Sequence, residues 1–249
     1  MAIKIGVNDA KKIYVGTSEI ASARVWTTKV RPAWWTPWSN TIAYYPLTSS
    51  TTVNDTSGNN KNLSKTWTVT FGTYWWVSCA YTQNQHSNNA PVNYLSTDSI
   101  SLPTNMTVSM WVQPSTNKAG VTTCWTFWTW RPQMYWLWIW TYYNNWEACI
   151  WDFSWTYEKI WNNLWISSWN WYNMIVVKEW TKSTVYKNGT LVWDYTWLQS
   201  SIWQRFMLCD TYSSWWLTWY MSEVIVESKL WTATEVSNYF NSMKSNYWL

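Results

Sequence analysis

Asn170-Trp-Tyr-Asn-Met-Ile-Val-Val-Lys-Glu-Trp-Thr-Lys-Ser-Thr-Val-Tyr-Lys-Asn-Gly-Thr-Leu-Val-Trp-Asp-Tyr195 is the stretch that decides the fold. It holds three short runs of β-branched and aromatic residues, and only Asn188-Gly189 separates the last two. Both central residues of a type I′ turn need φ > 0, which Asn and Gly adopt at little cost, so the pair predicts a tight β-hairpin. Tyr172, Met174 and Val176 alternate with Asn173, Ile175 and Val177, and Val185 and Tyr186 fall on opposite faces of the next run. A three-stranded antiparallel meander is expected.

One position resists this reading. Glu179-Trp180-Thr181-Lys182 must reverse the chain, and Trp is a poor turn residue where Gly, Asn or Asp is expected. The misfit recurs along the chain. The 249 residues include 30 Trp and 6 Gly, whereas ordinary usage would give about 17 Gly. Val15-Gly16-Thr17-Ser18 is echoed by Val25-Trp26-Thr27-Thr28, and Trp34-Trp35, Trp75-Trp76 and Trp215-Trp216 lie in polar, turn-like surroundings. The hypothesis is that many of these codons are UGA, translated here as Trp and read as Gly by the source. UGG codons at positions 26, 180 and 219 would sink it. The competing reading is a Trp-rich protein whose indoles stack on sugars, but such platforms cluster on one face and these tryptophans are scattered. Trp111, Trp171 and Trp231 sit beside patterned apolar residues instead and are expected to be genuine.

A chain of this length can bury a full core. Only 12% of residues are charged, and a net charge of +4 is spread without a Lys/Arg block, which argues against a nucleic-acid partner. No N-terminal apolar run follows a basic segment, so no signal peptide is expected, and no run of about 18 apolar residues predicts a membrane span. Cys79, Cys124, Cys149 and Cys209 form no C-x-x-C pair; two disulfides or buried free thiols are the alternatives.

Residues 1–41 read as a small N-terminal β segment and linker. Ile3-Lys4-Ile5, Lys12-Ile13-Tyr14-Val15-Gly16 and the run from Ala23 to Arg31 are short strands, and Pro32 to Pro37 is the linker. The segment resembles the "I-Y-V-G" leaders of phage tail and virion proteins. From Thr41 onward short strands recur with turns between them, including Ala43–Leu47, Met106–Pro114, Cys149–Phe153, Phe206–Leu208 and Leu217–Val226, the pattern of a sandwich. The one expected helix is terminal: Thr232 and Glu235 have capping-box spacing, and Val236, Tyr239, Phe240 and Met243 share a face.

Six elements in order, Tyr44-Tyr45-Pro46-Leu47, Asp55-Thr56-Ser57-Gly58-Asn59, Thr107 to Val112, Trp171 to Val176, Val185 to Gly189, and Met221 to Val226 followed by Leu230 and Glu235, resemble the concanavalin A-like, laminin-G-like jelly-roll family. The resemblance covers residues 42–249. It implies an all-β, two-sheet antiparallel sandwich with a concave face and a rim of loops. Where the family has Gly before the Met221 strand, this chain has Trp219.

The resemblance also frames the candidate chemistry. Asp55 and Asn59 match the place where family members hold Ca²⁺ through oxygen ligands; an ordinary Asp-Thr-Ser-Gly turn is the alternative. Tyr142, Tyr143 and Asn144, with Asp152 as a polar partner, and Tyr212 in a second loop are candidate ligand-binding residues for surface glycans. A retaining glycosidase needs carboxylates about 5 Å apart. Glu147 and Asp152 are on opposite faces of a regular strand, and Glu223 and Glu227 read as solvated edge charges, so no catalytic residue is assigned. His86, the only histidine, lies in a polar loop, which leaves no basis for a His-based triad or a multi-His zinc site. The expected function is a non-enzymatic carbohydrate-binding or adhesive module on a virion or cell surface, held to other proteins of that assembly through its N-terminal segment and presented in several copies, as in a homo-oligomer. A structural decoration or oligomerisation module is the alternative, and a glycoside hydrolase the third class.

Overall fold

The computed structural model describes residues 13–15, 18–20, 24–25, 28–29, 39–48, 53–66, 69–84, 94–97, 103–114, 121–126, 135–142, 145–152, 169–180, 182–196, 205–208 and 217–249. The chain divides into two compact units, Met1–Trp38 and Ser39–Leu249. In the first, β1 (Ile13–Val15) pairs with β2 (Ser18–Ile20), and β3 (Arg24–Val25) pairs with β4 (Thr28–Lys29). Both are antiparallel ladders. The expected strand Ile3 to Ile5 lies outside the described residues.

In the second unit the regular elements among the described residues are all strands until the last 17 residues. Its strands in chain order are β5 (Thr41–Tyr45), β6 (Ser64–Thr66), β7 (Thr70–Tyr74), β8 (Val77–Asn84), β9 (Tyr94–Thr97), β10 (Met106–Pro114), β11 (Val121–Thr126), β12 (Tyr135–Tyr142), β13 (Asn145–Asp152), β14 (Tyr172–Glu179), β15 (Lys182–Lys187), β16 (Thr190–Thr196), β17 (Arg205–Leu208) and β18 (Leu217–Glu227). The larger sheet has eight strands in the order β16-β15-β14-β10-β18-β8-β7, with β5 also paired to β18. The smaller has six, in the order β13-β12-β11-β17-β9-β6. The meander β14-β15-β16 forms one end of the larger sheet, as its alternation and its Asn188-Gly189 turn require. At the centre, β18 pairs with β10 along one edge, while its other edge is shared by β8 at Leu217–Met221 and β5 at Val224–Glu227. A bulge opposite Met110 separates the two halves, with Glu223 at φ 50°.

Alternation along β10 and β14 sorts their side chains between two faces. Val108, Met110 and Val112, together with Tyr172, Met174 and Val176, enter one buried cluster with Leu95 of β9 and Leu208 of β17. The two sheets therefore face each other across a common core, the two-sheet jelly-roll sandwich that the strand pattern implies.

The opposite face of the larger sheet is covered too. Helix α1 (Ala233–Met243) starts at a capping box: Thr232 Oγ1 accepts from Glu235 N at 3.2 Å, and Thr232 N donates to Glu235 Oε2 at 2.9 Å. Val236, Tyr239 and Met243 are buried, and a short 3-10 helix, Lys244–Tyr247, follows. Trp111 on β10 stacks flat on Tyr247 at 3.7 Å and donates Nε1–H to Tyr239 Oη at 3.3 Å. Trp171 meets Tyr247 edge-on, and Trp231 packs beside Tyr239. All three of these tryptophans are buried. Phe240 rests on the Asn188-Gly189 turn so closely that a Cβ at Gly189 would lie 3.0 Å from Phe240 Cδ1. Glycine is thus required there twice, for φ +77° and for the approach of the helix.

Candidate functional site

Beside the helix, on the same outer face, three tyrosines from three strands form a row. Register sets it: Tyr220 on β18 is opposite Tyr81 on β8, and Tyr74 ends β7 at the hairpin. Tyr74 and Tyr220 stack with centroids 3.8 Å apart and planes 14° apart, and Tyr81 stacks on Tyr220 at 4.9 Å. Trp169 lies over Tyr74 at 6.2 Å. All three tyrosines are half-buried. Burial, reinforced by the Tyr74, Tyr81 and Cys79 neighbours, pushes the Tyr220 hydroxyl above the usual tyrosine range, so it remains a neutral donor.

Gln113 on β10 pairs in register with Tyr220 and is buried at 1% exposure. Its Nε2 donates to the Trp169 carbonyl at 2.7 Å, while Oε1 has no hydrogen-bond partner. Gln113 Oε1 is enclosed beneath the row, so the half-buried tyrosine rings are the surface presented here, and such rings suit the apolar C–H faces of a polyhydroxylated ligand. Sequence inspection misses this row because its members are up to 146 positions apart, and only the β7-β8-β18 register assembles them.

The Asp55 loop is tied tightly to β5. Asp55 Oδ1 accepts from Tyr44 N at 2.9 Å and from Ser57 N at 2.8 Å; Oδ2 accepts from Ser57 Oγ at 2.8 Å and from Lys61 N at 3.0 Å. Asn59 Nδ2 donates to the carbonyls of Thr41 and Ile42 at 2.7 and 3.1 Å. Both carboxylate oxygens thus face N–H and O–H donors, the arrangement of an Asx-type turn. A Ca²⁺ ion would have to displace donors from that carboxylate and collect further oxygen ligands. Among the described residues no three His, Cys, Asp or Glu side chains gather at one point.

The other expected ligand residues separate. Tyr142 ends β12 opposite Asn145, whereas Asp152 is opposite Tyr135 at the far end of the same hairpin. Seven residues of strand between the two ends amount to about 23 Å at the usual rise, so the register does not bring Asp152 to Tyr142. Tyr143, Asn144, Tyr212 and His86 lie outside the described residues.

Two carboxylates differ from the sequence expectation. Glu223 and Glu227 are not solvated edge charges; each is 1% exposed. The reason is that β18 is central rather than marginal, with the helical segment packed over its outer face. Glu227 Oε2 accepts from Trp231 Nε1 at 2.6 Å and Oε1 from Thr41 Oγ1 at 3.1 Å, while Glu223 Oε2 accepts from Tyr247 Oη at 3.3 Å. Burial raises the Glu227 carboxyl above the usual range, although the two hydrogen bonds pull it down. Both groups are built into the packing. Cys79 is a buried free thiol, pushed up to about 12 by burial.

Comparison with solved structures places this architecture. Domain 4 of a GH43 extracellular arabinanase from Geobacillus stearothermophilus, solved with arabinotriose, shares 15% identity over 80% of this chain and 97% of that domain, with a TM-score of 0.59. The likeness is one of fold. The binding domain of Paraclostridial Mosquitocidal Protein 1 (15% identity, 82% of this chain, 52% of that one, TM-score 0.58) and that of botulinum neurotoxin serotype D (13%, 81%, 51%, 0.56) show the same sandwich. This chain spans about half the length of those toxin domains. No family model and no curated protein sequence matches it. No helix among the described residues is long and apolar enough to cross a membrane.

Proposed function

We propose that the Ser39–Leu249 unit is a non-enzymatic carbohydrate-binding module of the laminin-G-like type, from a source that reads some UGA codons as glycine. In this reading the N-terminal hairpins attach it to a virion tail or cell-surface assembly. The observation that carries the reading is the half-exposed aromatic row Tyr74, Tyr220, Tyr81. Fold neighbours solved with arabinotriose or with ganglioside interaction in view support a sugar as the ligand class. Tyr142, Tyr143, Asn144 and Tyr212 remain proposed as further ligand contacts on the sequence reading alone. A single shallow site of this kind binds weakly, and several copies raise it to useful avidity. Burial of Glu223 and Glu227 in structural hydrogen bonds supports a binding rather than a hydrolytic role.

One observation favours the second reading, a structural module without its own ligand: Tyr74 and Tyr220 stack face to face, so much of their ring surface is spent on each other. A glycan array probed with tetramerised protein separates the two. Binding to a defined glycan set that is lost in Tyr74→Ala supports the module. No glycan bound at all favours the structural role, and release of reducing sugar would overturn the non-enzymatic reading.

A further inference from the structure

We infer that the polypeptide made by the source carries glycine at positions 75, 76, 169, 180 and 248. Among the described residues nine non-glycine positions have positive φ, and five of them are these tryptophans, between 46° and 70°. That region crowds Cβ against the following carbonyl, so it is populated by Gly and, less often, Asn or Asp; five bulky aromatics there have no local chemistry to recommend them.

Each position is one where the backbone asks for glycine. Trp75 and Trp76 are the two central residues of the β7-β8 hairpin, flanked by the pair Tyr74 and Val77, with φ 46° and 66°. Asn188 and Gly189 occupy the same two places in the β15-β16 hairpin, with φ 50° and 77°. The turns match in conformation; only one has the residues that type I′ geometry selects. Trp180, φ 51°, opens the two-residue connection between Glu179 and Lys182, its N–H donated to Asn105 Oδ1 and its carbonyl taken by Lys178 Nζ. Trp248, φ 62°, is the left-handed cap of the terminal 3-10 helix, the position glycine dominates. Trp169, φ 70°, sits in the turn before β14. The N-terminal unit repeats the theme in sequence, since Val15-Gly16-Thr17-Ser18 is echoed by Val25-Trp26-Thr27-Thr28.

Burial sorts the tryptophans the same way. The five left-handed ones are 50% to 72% exposed, whereas Trp111, Trp171 and Trp231 are at most 3% exposed, have no positive φ and pack into the aromatic layer under α1. A translation that assigns Trp to a codon the source reads as Gly produces this division: indoles on left-handed turns and true tryptophan in the core. With glycine at 169 and 75, the indoles now beside Tyr74 are absent, and the tyrosine row has more open ring surface.

The coding DNA and peptide masses of the protein isolated from its source test the inference. TGA at codons 75, 76, 169, 180 and 248 with TGG at 111, 171 and 231, and native peptides carrying the glycine mass at the five positions, are expected. TGG at the five, or tryptophan in the native peptides, would overturn it. An independent readout uses the recombinant chain: Trp180→Gly, and separately Trp75→Asn with Trp76→Gly, are each expected to raise Tm by about 2–4 °C. Melting temperatures that stay level or fall in both variants would count against glycine-type backbone at these turns.

Discussion

Replacing Gly189 with alanine probes both demands that the fold makes of the hairpin facing the helix. The first is conformational: at φ +77° an alanine loses roughly 1–2 kcal/mol relative to glycine, offset by about 0.4–1 kcal/mol from its stiffer unfolded chain. The second is steric. The new Cβ would stand 3.0, 3.1 and 3.3 Å from Cδ1, Cβ and Cγ of Phe240. The ring can turn, but Phe240 Cβ is fixed to the helix backbone, so α1 must move slightly off the sheet, an overpacking cost of about 1–3 kcal/mol. The sum, about 1–5 kcal/mol, corresponds to a fall in Tm of about 2–20 °C for a domain of this size. Gly58→Ala is the matched control, because Gly58 has φ +94° and nothing within 4 Å of its missing Cβ; it feels the backbone demand alone. Thermal melts by circular dichroism of both variants, and of Gly189→Ala combined with Phe240→Ala, separate the two contributions. Gly189→Ala is expected to fall further than Gly58→Ala, and the Phe240 truncation to recover part of the difference. Equal melts for the two glycine variants, with no coupling to Phe240, would refute the close approach of helix and turn.

Three further outcomes follow from buried polar groups. Asp55→Ala leaves the donors of Tyr44, Ser57 and Lys61 without their shared acceptor and is expected to cost about 2–4 kcal/mol in a denaturant melt; because those donors already fill both oxygens, Ca²⁺ added to the unmodified protein is expected to leave its Tm unchanged, and a rise of several degrees would show that the loop reorganises around the ion. Trp231→Phe keeps the packing but removes the donor at 2.6 Å from Glu227, at a cost of about 1.5–3 kcal/mol. Because burial raises the Glu227 carboxyl, the folded protein protonates it more readily than the unfolded chain does, and the deficit should shrink as pH falls through the carboxylate range; a deficit independent of pH would contradict the assignment. Lys178, buried with its Nζ on the Thr104 and Trp180 carbonyls, is lowered by burial to about 8 from its ordinary 10.5. Its folded form loses the proton more readily, so stability relative to Lys178→Met should rise as pH goes from 8 to 10.5 and stay level, at its lowest, below pH 8 where both states are protonated; a constant difference in Tm across the window would remove the claim.

What could be seen in the sequence tracks how local each signal is. The meander followed from Asn188-Gly189 and period-two alternation, and α1 from Thr232 and Glu235, because turns and caps are written within a few residues. The β7-β8 turn is marked in the sequence only by the polar, turn-like surroundings of Trp75-Trp76, because two tryptophans stand where an Asn-Gly type pair would have predicted the hairpin outright. The burial of Glu223 and Glu227 is not legible locally because it depends on β18 being central, a consequence of pairing with β8 and β5, which lie more than 130 residues earlier. The tyrosine row is invisible for the same reason. Asp55 was visible as a turn residue, but only the structure shows how completely its carboxylate is engaged.

Amide chemical-shift mapping with a glycan selected from the array tests the central claim most directly. Titration of the labelled protein is predicted to shift Tyr74, Tyr81, Gln113 and Tyr220 together, with the Trp111 and Val236 region under the helix unchanged. Saturable binding that leaves those four residues unmoved, or no shift anywhere on the sandwich, would contradict a carbohydrate site on this face.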